Sequence, residues 1–167
     1  MVKFNSWHLI YTRPNWERKI SAALTEIDVN FFFPTQKTNA GNRLSRRDVP
    51  LFPSYIFVYL KTLQEYYRSL SLAGVLYYVK IGRENATVSD SIINSIKMAI
   101  DSGNELVVSN RSFQPGQSLT IRQGPLSGLN GEIVQWEGRR KVLVRVKLLQ
   151  RNVLVSLPEN SFVQNAC

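Results

Sequence analysis

The side chains spaced to do chemistry in this sequence are aromatic and cationic, and the chemistry they offer is recognition. In Pro50 to Leu60, PLFPSYIFVYL, Tyr55, Phe57 and Tyr59 alternate with Ile56, Val58 and Leu60. A strand places such residues on opposite faces, so three rings form one row. Upstream, WHLIYTRPNWERK sets Tyr11 just before Arg13, Trp16, Arg18 and Lys19. Cations here turn toward solvent or a partner, and Trp16 begins an apolar stripe at helical spacing. Asn39 to Asp48, NAGNRLSRRD, carries Arg43, Arg46 and Arg47 in a polar stretch that reads as a hairpin tip, either solvated or in contact with phosphate. Catalysis has little to draw on: His8 is the one histidine and Cys167 the one cysteine. No zinc site can be built from them, and no glycine loop precedes a helix to cradle phosphate. We expect no enzyme, no cofactor and no metal, with His8 a fold residue.

The elements that must position these residues follow from periodicity. Trp7 to Thr12 alternates as a strand, with Trp7, Leu9 and Tyr11 on one face. Pro14 suits the first turn of a helix, and Ile20, Ala23, Leu24 and Ile27 then recur at helical spacing, turning Glu17, Arg18 and Lys19 toward solvent or a partner. Phe31 to Pro34 reads as a second strand. Pro50 and Pro53 forbid helix before Tyr55. Leu63, Tyr66, Tyr67 and Leu70 make a short helix, Leu76 to Ile81 a strand, and Ile92, Ile93, Ile96, Ala99 and Ile100 one face of a third helix that begins near Asp90 and stops before Gly103. Residues 101–115 show no period and read as a linker. Beyond it, short alternating segments around Leu119, Val142 to Val146 and Val153 to Leu157 are separated by turns, and about five strands in so few residues favour a small closed barrel.

The fold class expected is therefore α+β. Residues 1–103 form an antiparallel sheet with helices on one face, 104–114 a linker, and 115–167 a small five-stranded barrel. The 21 basic and 12 acidic residues give a net charge of +9, shared by both halves. This bias points to a polyanionic environment such as nucleic acid or its machinery. The single terminal cysteine fits a reducing compartment, and the sequence holds neither a signal peptide nor an apolar run able to span a membrane. A cytoplasmic monomer is expected.

Gly116 to Val134, GQSLTIRQGPLSGLNGEIV, resembles the KOW motif, with Gly116, Gly124, Gly128 and Gly131 at the turn positions. WHLIYTRPNWERK, the aromatic strand ending at Pro34, PLFPSYIFV and GVLYYVKIG together resemble the N-terminal (NGN) domain of the NusG family, nearest to its specialised paralogues of the RfaH and UpxY type. The resemblance covers nearly the whole chain. It implies an NGN domain of split βαβ character, an SH3-like KOW barrel, and a transcription elongation and antitermination factor. In such proteins the aromatic face binds the clamp helices of the largest RNA polymerase subunit. By position, Tyr11, Phe52, Tyr55 and Phe57 take that role here. Arg13, Trp16, Arg18 and Lys19 then face non-template DNA, and Arg46 and Arg47 upstream DNA.

Two segments depart from the family pattern. The His-Thr-Thr motif of RfaH-type proteins is replaced by Glu65, Tyr66 and Tyr67. Where NusG carries Ile-Phe-Gly-Arg to dock a ribosomal protein of the NusE type, or Rho, this chain has Leu148, Leu149, Gln150 and Arg151. Arginine and an apolar pair remain, which leaves NusE-type docking open through Leu148, Leu149 and Arg151. β-branched alternation and glycine content oppose a helical form of the second domain. The rival reading is an RNA-binding or ribosome-associated KOW protein, using Arg139, Arg140, Lys141, Arg145 and Lys147 as a phosphate surface.

Overall fold

A computed structural model describes residues 2–39, 46–111, 114, 116–121, 126–146, 149, 151–156 and 163–165. The chain divides into two compact units, Met1–Asp90 and Ser91–Cys167. The first runs β1 (Ser6–Thr12), α1 (Glu17–Glu26), β2 (Phe31–Phe32), β3 (Thr35–Asn39), β4 (Arg46–Pro50), β5 (Tyr55–Leu60), α2 (Leu63–Leu70), β6 (Val75–Tyr78), β7 (Lys80–Ile81), β8 (Glu84–Asn85) and β9 (Thr87–Val88). Its main sheet has the order β2-β5-β1-β6, with β9 also paired to β1, and each pairing is antiparallel.

β1 is apolar on both faces, Leu9 and Ile10 being wholly buried, and such a strand is stable only with cover on both sides. On one side Ile10, Ile56, Val58, Leu60 and Tyr78 pack against Ile20 and Leu24 of α1, with Tyr66 and Leu70 of α2 at the margin. The helical stripe expected in α1 is thus the stripe that is buried. α2 starts where Thr62 Oγ1 accepts from the Glu65 N–H at 3.2 Å while the Glu65 carboxylate accepts from the Lys61 N–H at 2.6 Å, a reciprocal arrangement close to a capping box. His8 is buried, its ring nitrogens 3.1 Å from the Ala86 carbonyl and 2.6 Å from that of Lys3, which makes it the fold residue expected.

Three segments of this unit differ from expectation. Only Phe31 and Phe32 pair with β5; Pro34 has no N–H to offer a ladder, and its carbonyl instead accepts from Leu51. The expected strand 76–81 breaks after Tyr78, because Gly82 (φ +61°) turns Lys80–Ile81 back against Glu84–Asn85 as a separate hairpin. Glu17, expected at the solvent face, is only 6% exposed. The basic hairpin forms between β3 and β4, with Asn39 opposite Arg46; its tip, including Arg43, lies outside the described residues.

α3 (Asp90–Asp101) begins at the last residue of the first unit. The second unit continues with β10 (Leu106–Ser109), β11 (Gln117–Ile121), β12 (Asn130–Trp136), β13 (Arg139–Val146), β14 (Arg151–Ser156) and β15 (Val163–Asn165). These form an antiparallel sheet in the order β10-β14-β13-β12-β11-β15, so the α+β class and the KOW barrel strands stand as expected. Among the described residues the sheet has six strands rather than five. The extra one, β10, comes from the stretch read as a linker: Leu106, Val107 and Val108 lie opposite Val155, Leu154 and Val153, and an apolar run of that kind is stabilised by joining an exposed edge. Val142, Val144, Val146, Val153 and Val155 are buried with Ile121, Leu126 and Leu129. Glu137 and Gly138 close the β12–β13 hairpin with positive φ at both positions, the requirement of a two-residue primed turn. At Gly131 a Cβ would stand 2.5 Å from Val142 Cγ1 and 2.8 Å from the Leu143 carbonyl oxygen, so this KOW glycine is needed for backbone approach.

The Tyr78 hydroxyl, beneath α2, shares a 2.6 Å hydrogen bond with Ser69 Oγ. Burial raises its pKa above the ordinary phenol value. The unfolded chain ionises this phenol from about pH 10, whereas the folded one resists, so the folded state loses relative stability as pH climbs past that point. Urea titrations at about pH 9 and pH 11 should show that loss, with Tyr78→Phe reducing the slope while costing only ~1 kcal/mol for the hydrogen bond.

Candidate functional site

The β1–β5 register places Trp7 opposite Tyr59, Leu9 opposite Phe57 and Tyr11 opposite Tyr55. Phe32 of β2 joins this face beside Phe57, and Tyr77 of β6 lies across from Tyr11. Ring contacts follow the register. Trp7 meets Tyr59 edge-on at 5.3 Å, Tyr11 meets Tyr55 at 5.1 Å, and Tyr11 stacks on Tyr77 at 5.2 Å. Phe57, fully buried, is flanked by Phe32 and Phe52, each 5.9 Å away.

The expected aromatic site therefore separates into a buried and a partly exposed part. Phe52 (2% exposed) and Phe57 (0%) are buried, edge-on to each other. Tyr11 and Tyr55 are half-buried, and Tyr77, 51% exposed, completes the row. Tyr77 was not among the residues singled out from the sequence. Its position depends on how β6 registers against β1, and only the tyrosine doublet at 77–78 hinted at it.

The chain reaches this row through a tight segment. Ser54 takes a left-handed backbone (φ +68°), uncommon for a residue with a side chain. Its N–H donates to Glu17 Oε1 at 2.7 Å, and its carbonyl accepts from the Thr12 N–H at 2.9 Å. Glu17 opens α1, where the helix dipole favours a carboxylate.

Of the basic candidates, Arg13, Trp16 and Lys19 are brought together. Lys19 Nζ sits 4.6 Å from the Trp16 ring centroid and Arg13 Cζ 5.8 Å from it, while the indole rests on Gly74, at which any Cβ would overlap the ring. Trp16 is half-buried at the margin of the α1 core. Arg18 points elsewhere: its Nη2 donates to the Asp48 carbonyl at 2.8 Å. Arg47 is exposed on β4, and the side chain of Arg46 lies outside the described residues.

In the second unit, Leu148 and Gln150 lie outside the described residues, Leu149 is half-buried and Arg151 is exposed at the start of β14. The proposed phosphate surface is reduced. Arg145 makes a bidentate pair with Glu132 (2.6 and 3.1 Å) and reaches the Gln114 carbonyl, and that hydrogen bonding raises the Arg145 pKa. Lys141 is 7% exposed, Lys147 lies outside the described residues, and Arg139 and Arg140 are exposed. Among the described residues no group of three or more His, Cys, Asp or Glu side chains could hold a metal, and no helix is long and apolar enough to cross a membrane.

The NusG family model, described as "Transcription termination factor nusG", matches residues 5–97, which hold the whole aromatic face. The chain belongs to the NusG family. NusG of Thermotoga maritima shares its fold, with a TM-score of 0.50 at 20% identity over 90% of this chain and 93% of that one. Two conformations of the MjSpt4:Spt5 complex align at TM-scores of 0.34 and 0.35, each with 10% identity, over 95% and 96% of this chain and 98% and 97% of theirs. No curated protein matches. Membership makes this chain a transcription factor of the NusG type, and its aromatic face belongs to the matched region.

The contact between Gly74 and Trp16 yields a prediction. Gly74 has φ +94° and accepts from the Arg13 N–H at 2.9 Å. Gly74→Ala adds strain and a clash at once, and should cost roughly 1–3 kcal/mol. Denaturant unfolding reads that loss, and tryptophan fluorescence should report a displaced Trp16.

Proposed function

We propose that this chain is an elongation and antitermination factor of the specialised RfaH and UpxY type. It binds RNA polymerase through the clamp helices of the largest subunit and keeps the enzyme processive on particular operons. The observation that carries this reading is the Tyr11–Tyr55–Tyr77 row, in which the Tyr11 ring touches both of the others, on the same sheet face as the buried Phe57. Large, rigid, partly exposed aromatic anchors are what dominate protein interfaces, and three adjacent rings form a patch rather than isolated surface residues. Arg13 and Lys19, held beside Trp16, face the non-template strand, and Arg46 and Arg47 of the β3–β4 hairpin face upstream DNA through phosphate. Leu148, Leu149 and Arg151 are the place where a ribosomal protein of the NusE type would dock. The factor acts as a cytoplasmic monomer.

The RNA-binding alternative is weakened by Arg145, which spends its guanidinium on Glu132, and by the burial of Lys141. The family description speaks of termination, whereas the resemblance to specialised paralogues implies the opposite sign. Readthrough of a terminator by purified polymerase, with and without the protein, decides between them; antitermination requires more readthrough.

Binding itself is tested by capturing core polymerase on the full chain. Tyr55→Ala should weaken capture roughly 30-fold, as loss of a ~2 kcal/mol interface anchor does, with circular dichroism unchanged. Polymerase lacking the clamp helices should not be captured. Equal capture of both polymerases would refute the reading.

A further inference from the structure

We infer that the first turn of α1 is a positioning clamp for the tyrosine row, Glu17 and Arg18 holding the two ends of the segment 48–54 that delivers Tyr55 to β5. This rests on the polymerase reading above and deepens it. Arg18 Nη2 donates to the Asp48 carbonyl at 2.8 Å, and Glu17 Oε1 accepts from the Ser54 N–H at 2.7 Å. Two consecutive side chains thus grip the segment at its beginning and its end.

The segment needs such a grip. Asp48 to Pro50 are held in the ladder with β3, but in the part that turns toward Tyr55 Pro53 supplies no N–H. Leu51 donates to the Pro34 carbonyl and Tyr55 to that of Phe52. Ser54, in a left-handed conformation, stores strain that persists only where its surroundings over-determine it. Those surroundings are Glu17 on its N–H and Thr12 on its carbonyl. Thr12 follows Tyr11, and Ser54 precedes Tyr55, so the same contacts set the Tyr11–Tyr55 pair. A buried carboxylate without partners would be costly. Its place at the helix N-terminus and its bond to Ser54 offset that cost. Arg18, expected from the sequence to meet nucleic acid, is assigned here to positioning.

The test measures affinity of the full chain for core polymerase in the absence of nucleic acid, where a phosphate contact has nothing to act on. Glu17→Ala should weaken binding about tenfold, the loss of one charge-assisted hydrogen bond. Glu17→Gln, whose amide oxygen still accepts from Ser54, should restore binding to within about threefold of wild type. Arg18→Ala should weaken it about threefold, the loss of a more exposed bond. Leu24→Val, in the same helix and wholly buried, lowers stability without touching the segment and should leave affinity unchanged. Wild-type affinity in Glu17→Ala, with Tyr55→Ala impaired, overturns the clamp and leaves the binding face standing. Wild-type affinity in Tyr55→Ala removes the polymerase reading and the clamp with it. If Glu17→Ala does not fold, wild-type affinity in Arg18→Ala overturns the clamp.

Discussion

The pairing of β1 with β5 is the constraint on which the first unit depends. Side chains alternate along both strands, so the register that puts Tyr11 beside Tyr55 also puts Ile10 beside Ile56 under the helices. A slip of one residue would exchange the faces, sending tyrosines into the aliphatic core and isoleucines to the surface. The register is pinned at both ends: Asn5 donates to the Leu60 carbonyl, and Thr12 to that of Ser54. Core and aromatic face are therefore two consequences of one alignment. Substitutions that disturb either end reach both.

Rigidity is what distinguishes this aromatic face from a scatter of surface rings. Each cross-strand ring pair contributes about 0.5–1.5 kcal/mol beyond the area it buries, and the contacts restrict the rotamers available to Tyr11, Tyr55 and Tyr77. A partner then has less side-chain entropy to quench on binding. Phe52 and Phe57 are buried and packed on each other, part of the interior beside the row. Truncating either should be read first as damage to this interior, and only through it as loss of contact.

Much of this was legible in the sequence, for reasons that differ by segment. The alternation of Tyr55 to Leu60 and the helical spacing of Leu63 to Leu70 emerge as the elements they describe, because each amphipathic pattern has one packing partner that satisfies it. The buried and exposed parts of the aromatic face could not be separated, since Phe57 and Tyr55 share a face and differ only in what lies across the sheet. Tyr77 was hidden for a related reason: its neighbourhood is made by strands far apart in sequence. Glu17 misled because it precedes Arg18 and Lys19 in a charged triplet, and one residue of the triplet points inward. Leu106–Ser109 was obscured by its setting, an apolar run too short to stand out between Gly103 and Pro115.

The charge of the molecule is a weaker guide to its contacts than its size implies. Of the cations described, Arg145 is bound to Glu132, Arg18 to the Asp48 carbonyl, Lys19 and Arg13 lie over Trp16, and Arg111 lies over Trp136. Each still adds to the long-range field that draws the protein toward polyanions, because that field depends on net charge and not on local partners. What the local partners remove is freedom to rearrange around a phosphate. A net charge of +9 thus supports fast, salt-sensitive encounter with polyanions, whereas any affinity contributed by the tyrosine row proposed above is of a kind that salt screens little. Separate salt dependences for association rate and for complex lifetime are the physical signature of that division of labour.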